Sequence, residues 1–410
     1  MSSEHNTRLA ALRASCRQYG LDGYLIPRSD EYLGEYVPPC AERLAFISGF
    51  TGSAGLAIVL STRAAVFSDG RYTLQLEQET DASAWERRHI IEDKPETWLA
   101  QAAPGGRIGY DPWTISAEAL GRFTGVEMVP LSPNLIDAIW ADRPAPPLAP
   151  AHPYPEALAG ESSAAKRHRL GAALKAAGQD SAVLSDGASL AWLFNIRGTD
   201  LEFCPFALGY ALLHKDGTAG LFMAPEKITP ELRAHLGPQV FIAAPEALPG
   251  AIATLEGRVV RYDPASQPAW FEAALKEARA VIAPGPDPVA LPRAQKNAAE
   301  QAGARAAHLR DGVAMVEFLT WAAEALPRGK ETEMSAASRL LACRAAQDKF
   351  RGESFPAISG AGENGAIIHY RVDEASNRAI KPDEVYLIDS GGQYLDGTTD
   401  ITRTIWTGPG

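Results

Sequence analysis

The chain has 410 residues, with 39 Lys and Arg against 50 Asp and Glu and a formal net charge of −11 at pH 7. That length exceeds one ordinary core and calls for roughly two to four domains, and 46% hydrophobic with 22% charged residues is the composition of a globular protein, which excludes a disordered or fibrous one. The acidic balance opposes attraction to phosphate backbones and anionic lipid, which excludes nucleic acid and membrane as first partners.

The first residues, Met1 to Arg8, hold no apolar stretch behind basic residues, and no run reaches the roughly 18 apolar residues of a membrane span, so the expected location is cytoplasmic. Arg8 to Tyr19 reads as a helix with Leu9, Leu12 and Cys16 on one face. Gly20-Leu-Asp22-Gly-Tyr-Leu-Ile26 then turns into a strand. Leu44-Ala-Phe-Ile47 follows, and a hairpin-like pair of strands surrounds Arg63. A proline-rich stretch from Pro144 to Pro155 suits a stiff extended linker. Beyond it the same order returns. Lys166 to Ala177 reads as a helix with Leu170, Ala173, Leu174 and Ala177 inward, and Gly178-Gln-Asp180-Ser-Ala-Val-Leu184 as its turn and strand. Leu190-Ala-Trp-Leu193 matches Leu44 to Ile47, and paired strands surround Lys215-Asp-Gly217. The expectation is a tandem α/β duplication. A second proline-rich stretch, Pro284 to Pro292, closes it, giving domains at 1–150, 151–290 and 291–410.

The third segment opens with a helical pattern from about Ala294 to Leu326, in which Ala302, Ala306, Leu309, Val313, Val316, Leu319 and Ala323 form the apolar stripe. Pro327 and Gly329 stop it. A second helix is expected from Glu333 to Gln347, then β-prone runs at Phe355–Ser359, Ala366–Tyr370, Val385–Asp389 and Thr398–Trp406. The four cysteines, Cys16, Cys40, Cys204 and Cys343, lie far apart without a Cys-x-x-Cys pair and read as reduced, mostly buried thiols.

Gly360-Ala-Gly362-Glu-Asn-Gly365 satisfies a dinucleotide-binding pattern, but the β-branched run after it supplies no helix N-terminus for a phosphate, which favours a glycine turn between strands. More informative is the stretch from Val385 to Thr404, two strands around a turn near Asp396-Gly397. A separation of 11 places Asp389 and Asp400 on one face of the hairpin, directly opposed or one diagonal step apart. Adjacent carboxylates repel unless a cation lies between them, and hard divalent ions suit such oxygens. The residues alone leave surface and metal readings open. Asp396, beside Gly397, reads as a turn former.

Ser354-Phe-Pro-Ala-Ile-Ser359, Asn364-Gly-Ala-Ile-Ile-His-Tyr370 and Leu387-Ile-Asp-Ser-Gly-Gly-Gln-Tyr-Leu-Asp-Gly-Thr-Thr-Asp-Ile-Thr-Arg403 together closely resemble the cytosolic aminopeptidase P family of pita-bread metallopeptidases. The likeness extends to Tyr36-Val-Pro-Pro-Cys40, Phe46-Ile-Ser-Gly-Phe-Thr-Gly-Ser-Ala-Gly55, Ser68-Asp-Gly-Arg-Tyr72 and Ala191-Trp-Leu-Phe-Asn-Ile-Arg-Gly-Thr-Asp200. It implies an α/β chain of two creatinase-N-like domains followed by the first half of a pita-bread α+β catalytic domain. It also implies an aminopeptidase that releases the residue before a penultimate proline. Asp389 would bind one of two divalent, manganese-type ions, and Asp400 would bridge both. His369 would contact the peptide near the scissile bond, and Arg71 would reach the bound peptide. Taken without the resemblance, His369 reads as a satisfied core residue and Arg71 as a charge at a strand end. The choice of manganese over zinc or cobalt is likewise the family's.

In that family the domain continues past the position matching Gly410 and supplies a histidine and two glutamates as further ligands, one glutamate being the general base. None is matched here, so the expectation is a chain truncated relative to the family and inactive alone, with a homodimer belonging to the full-length protein. Two other readings stay open: a non-catalytic binding or dimerisation module of pita-bread ancestry, and a prolidase acting on dipeptides. The duplicated amino-terminal half argues against the prolidase.

Overall fold

The structure is a computed structural model and describes residues 2–408. It gathers into two compact units, Met1–Tyr154 with Glu161–Leu201 and Phe206–Gln295, and Pro155–Gly160 with Glu202–Pro205 and Lys296–Gly410. Among the described residues no helix is long and apolar enough to cross a membrane.

The first unit contains the expected duplication. β1 (Gly23–Pro27), β2 (Leu56–Leu60), β3 (Ala64–Ser68), β4 (Glu86–His89), β5 (Arg107–Tyr110) and β6 (Glu127–Pro130) form one sheet in the order β4-β3-β2-β1-β5-β6. β7 (His152–Pro153) follows; β8 (Ser181–Leu184) starts the second sheet, and β9 (Ile196–Arg197) returns to pair with β7. With β10 (Tyr210–His214), β11 (Ala219–Phe222), β12 (Val240–Ala243), β13 (Val259–Tyr262) and β14 (Val281–Pro284), the second sheet runs β12-β11-β10-β8-β13-β14. Position by position this is the same order, and the pairings repeat it: two antiparallel contacts at the centre, parallel ones outside.

Side-chain alternation gives each sheet two buried faces. Tyr24 and Ile26 of β1 meet Leu9 and Leu12 of the Ser2–Gln18 helix, while Leu25, pointing the other way, joins Trp98 and Leu99 of the Pro95–Ala102 helix. The Arg43–Ser48 helix ends at Gly49, whose φ of 84° is left-handed backbone that glycine adopts without cost. The loops after β1 and β5 carry Tyr32 and Trp113 onto the second sheet's core. There Tyr32 stacks on Tyr210 at 4.9 Å and Trp113 on Trp270 at 4.1 Å.

The second unit is led by the helix Ala298–Ala325, begun by a capping box between Asn297 and Glu300. Its buried face is Ala307, Asp311, Ala314, Met315, Phe318 and Ala322, which differs from the stripe read in the sequence: Leu309, Val313 and Val316 are exposed. Two apolar stripes compete on this helix, and the buried one contains a charge, Asp311, that apolar periodicity does not count. The helix Glu333–Ala345 packs against it.

β15 (Phe350–Glu353), β16 (Ile358–Ala361), β17 (Val385–Ser390), β18 (Gly392–Tyr394), β19 (Gly397–Thr398) and β20 (Ile401–Trp406) form two three-stranded sheets, β15-β18-β19 and β16-β17-β20. The expected strand at Ala366–Tyr370 is absent. Gly362–Ala366 is a 3-10 turn and the chain stays in turns through His369, because Glu333 draws the segment inward through the Asn364 and Tyr370 side chains.

Candidate metal centre

Along β17, Tyr386, Ile388 and Ser390 point inward, and the first two join Phe318, Ala336 and Leu340 in the core. Alternation sends Asp389 to the opposite face. β17 pairs with β20 so that Asp389 faces Thr402 and Ser390 faces Ile401. Asp400, two residues before Thr402, therefore stands one diagonal step from Asp389 on the same face. The two carboxylates feel each other: partial burial, and then the charge of Asp389, push Asp400 above the usual carboxylate range. Thr402 donates its hydroxyl to Asp389 Oδ1 at 2.7 Å.

The chain between the two aspartates leaves this sheet and makes the β18–β19 hairpin, turning on Leu395 and Asp396, one residue earlier than expected. Asp396 is more than a turn former. Its side chain is 3% exposed, pairs with Arg310, and accepts from Lys349 Nζ at 2.8 Å. The hairpin rests on Gly303 of the long helix, where an added Cβ would lie 2.3 Å from the Asp396 carbonyl oxygen. Below it, Arg344 and Asp311 form a buried pair with Nε 2.6 Å from Oδ1. Arg344 Nη2 also donates to the carbonyl of Ser390 at 3.3 Å, beside Asp389, and Tyr394 donates its hydroxyl to Asp311 at 3.0 Å. This pair ties the end of β17 to both helices, and the sequence reading missed it.

His369 lies half-buried in the turn after Gly362–Ala366, next to the exposed Ile368. Glu333, with no exposed surface, holds that turn: its carboxylate accepts from Ala361 N at 2.8 Å, Asn364 Nδ2 at 3.0 Å and Tyr370 Oη at 2.9 Å. Its only trace in the sequence is its place in the first turn of a helix, where an acidic residue is ordinary. Arg71 belongs to the other unit, in the turn after β3. Asp69 grips its guanidinium at both ends, at 2.9 and 2.7 Å, and keeps it firmly protonated. The structure thus brings Asp389 and Asp400 together, with His369 in the same unit. Among the described residues no group of three or more His, Cys, Asp or Glu could hold a metal ion.

The two aspartates fit part of a metal site, since partial desolvation and then the Asp389 charge raise the pKa of Asp400, and a cation would relieve that repulsion. Residues 302–410 match the metallopeptidase family M24, and residues 8–139 and 142–300 each match a creatinase/prolidase N-terminal domain. A probable Xaa-Pro aminopeptidase P of Aspergillus clavatus is 38% identical over 98% of this chain, which spans 64% of that relative's length. The corresponding protein of Aspergillus niger is 36% identical over 98% of this chain and 68% of its own. Among solved structures, the X-prolyl aminopeptidase of Caenorhabditis elegans, a cytosolic enzyme with a di-nuclear active site, superposes with a TM-score of 0.93. It is 30% identical over 98% of this chain and 70% of its own.

Proposed function

Because the chain belongs to the Xaa-Pro aminopeptidase P family of M24 metallopeptidases, we propose that the whole protein is a cytoplasmic, dimeric aminopeptidase that removes the first residue from peptides with proline second. The observation that carries this is that Asp389 of β17 and Asp400, just before β20, stand on one face, inside the M24 segment. Asp389 would ligate one divalent ion and Asp400 would bridge two, with manganese as the metal. Such a pair supplies a polarised carbonyl and an activated water.

The remaining work belongs to side chains. His369 donates to, or takes a proton from, the peptide atoms at the scissile bond, a task its imidazole performs near neutral pH. Tyr370 and Asn364, anchored on Glu333, fix where that imidazole stands. Arg71, its guanidinium held by Asp69, would reach the bound peptide.

Manganese-loaded protein purified from its native source should release the first residue of a tripeptide with proline second and spare the same peptide with alanine there; failure to cleave the proline peptide overturns the reading. Cleavage confined to Xaa-Pro dipeptides would mark a prolidase. The 410 residues on their own hold two carboxylate ligands among those described, too few for two ions. That chain alone should show little or no turnover, and if the native protein is also silent, the non-catalytic module becomes the better account.

A further inference from the structure

A second site lies in the first unit. The first sheet carries a cavity of about 820 Å³. From β1 the chain moves outward through β2, β3 and β4, then crosses to the far side of β1 with β5 and β6. The order therefore reverses between β1 and β5, two parallel neighbours. Ligands of open α/β sheets bind outside the carboxyl ends of strands at such a reversal. The cavity is in that place: Arg28 and Ser29 follow β1, Ile90 and Ile91 follow β4, and Thr114 and Ile115 follow β5.

Its chemistry is one-sided. Arg28, Lys94 and Arg122 line it against a single acid, Glu96, in a protein whose net charge is −11. Arg122 is partly answered by Glu118 at 3.0 Å. Arg28 is the telling residue, with a side chain nine-tenths buried. Its Nε donates to the Gly52 carbonyl at 3.1 Å and its Nη2 reaches Glu42 at 3.3 Å, while Nη1 is buried without an acceptor. A charged donor is costly to bury unmatched, and the Arg28 side chain lines the cavity in which an oxyanion would answer it. Lys94 also precedes the Pro95–Ala102 helix, whose N-terminus no side chain caps, so its partial positive charge stands at the same wall. Leu33, Leu56, Ile90, Ile115 and Phe123 give the lining an apolar part, beside hydroxyls such as Ser29, Ser53 and Thr114.

We infer that this cavity binds a small organic anion, an oxyanion headgroup on an apolar body, with the headgroup on Arg28 and Lys94 and the body among the isoleucines and Phe123. The site is independent of the peptidase reading.

The test is methyl NMR of the 410-residue chain, following the isoleucine methyls of Ile90, Ile91 and Ile115. Three probes are titrated to about 10 mM, a range set for weak ligands: N-acetylleucine as the carboxylate, phenyl phosphate as the phosphate, and N-acetylleucinamide as a neutral match. Saturable shifts with either anion and none with the amide are expected, and the tighter anion identifies the headgroup. Arg28→Met should weaken binding at least about tenfold. Lys94→Glu, at an exposed position, should weaken it at least about threefold and decides the matter if Arg28→Met does not fold. Equal shifts with the amide, no shifts with either anion, or unchanged affinity in the folded variants would overturn the inference.

Discussion

Asp30, in the turn after β1, has no exposed surface. Its Oδ1 accepts from Tyr32 N and Gly34 N, both at 3.0 Å, while Oδ2 has no partner. Burial pushes its pKa up to about 6 from 3.8. A raised carboxylate pKa means the folded state keeps a proton that the unfolded chain releases, so stability is fully present below pH 3.8 and falls as pH rises to 6. Asp30→Asn keeps the Oδ1 acceptor and removes the charge. It should therefore stabilise the protein at pH 7 by about 1–3 kcal/mol and flatten the loss between those values, as urea unfolding at pH 4 and pH 7 would show. Asp311→Ala has the opposite character. It strands the Arg344 guanidinium, 1% exposed, and should cost about 3 kcal/mol by the same measurement. If the proposed function holds, Asp400→Ala in the whole protein should abolish peptide cleavage, while in this chain it should have little effect on unfolding, because the carboxylate is exposed. The legibility of these residues differs for a reason. Asp389 and Asp400 were visible because strand alternation is local and their spacing is fixed by one hairpin. Asp311 and Arg344, or Glu333 and the Tyr370 turn, are joined across the fold, and nothing local marks a charge that will be buried with a distant partner.

The helix Ala298–Ala325 shows the same limit one level up. Its existence and its end follow from periodicity, Pro327 and Gly329, whereas its start, set by the Asn297 cap, comes later than the expected Ala294, and the period could not say which of two apolar stripes faces the core. Phe318→Ala should cost about 3–5 kcal/mol and Leu309→Ala less than about 0.5 kcal/mol in chemical unfolding, the reverse of what the sequence stripe implies. The segment Ala366–Tyr370 is the complementary case. Its β-branched residues favour a strand, yet Gly362, at φ 55°, turns the chain and Glu333 collects its polar groups. Contacts made elsewhere in the unit outweighed local preference. The duplicated sheets, by contrast, were readable as a repeated helix, turn, strand and hairpin, since each step uses neighbouring residues.

Over the whole chain, each compact unit has its own hydrophobic clusters, those of the two sheets in one and the Phe318 cluster in the other. Scanning calorimetry should resolve two transitions. Joining the two repeats of the first unit is the work of residues far apart in sequence. Trp113 comes from the first repeat and Trp270 from the second, and their indoles stack at 4.1 Å with planes 16° apart. Indoles this close should couple, and the expected far-ultraviolet circular dichroism of the pair is a couplet of opposite lobes that neither ring produces alone. The protein thus carries a built-in optical gauge: the couplet persists while the repeats stay docked, collapses when denaturant parts them, and vanishes in Trp270→Leu.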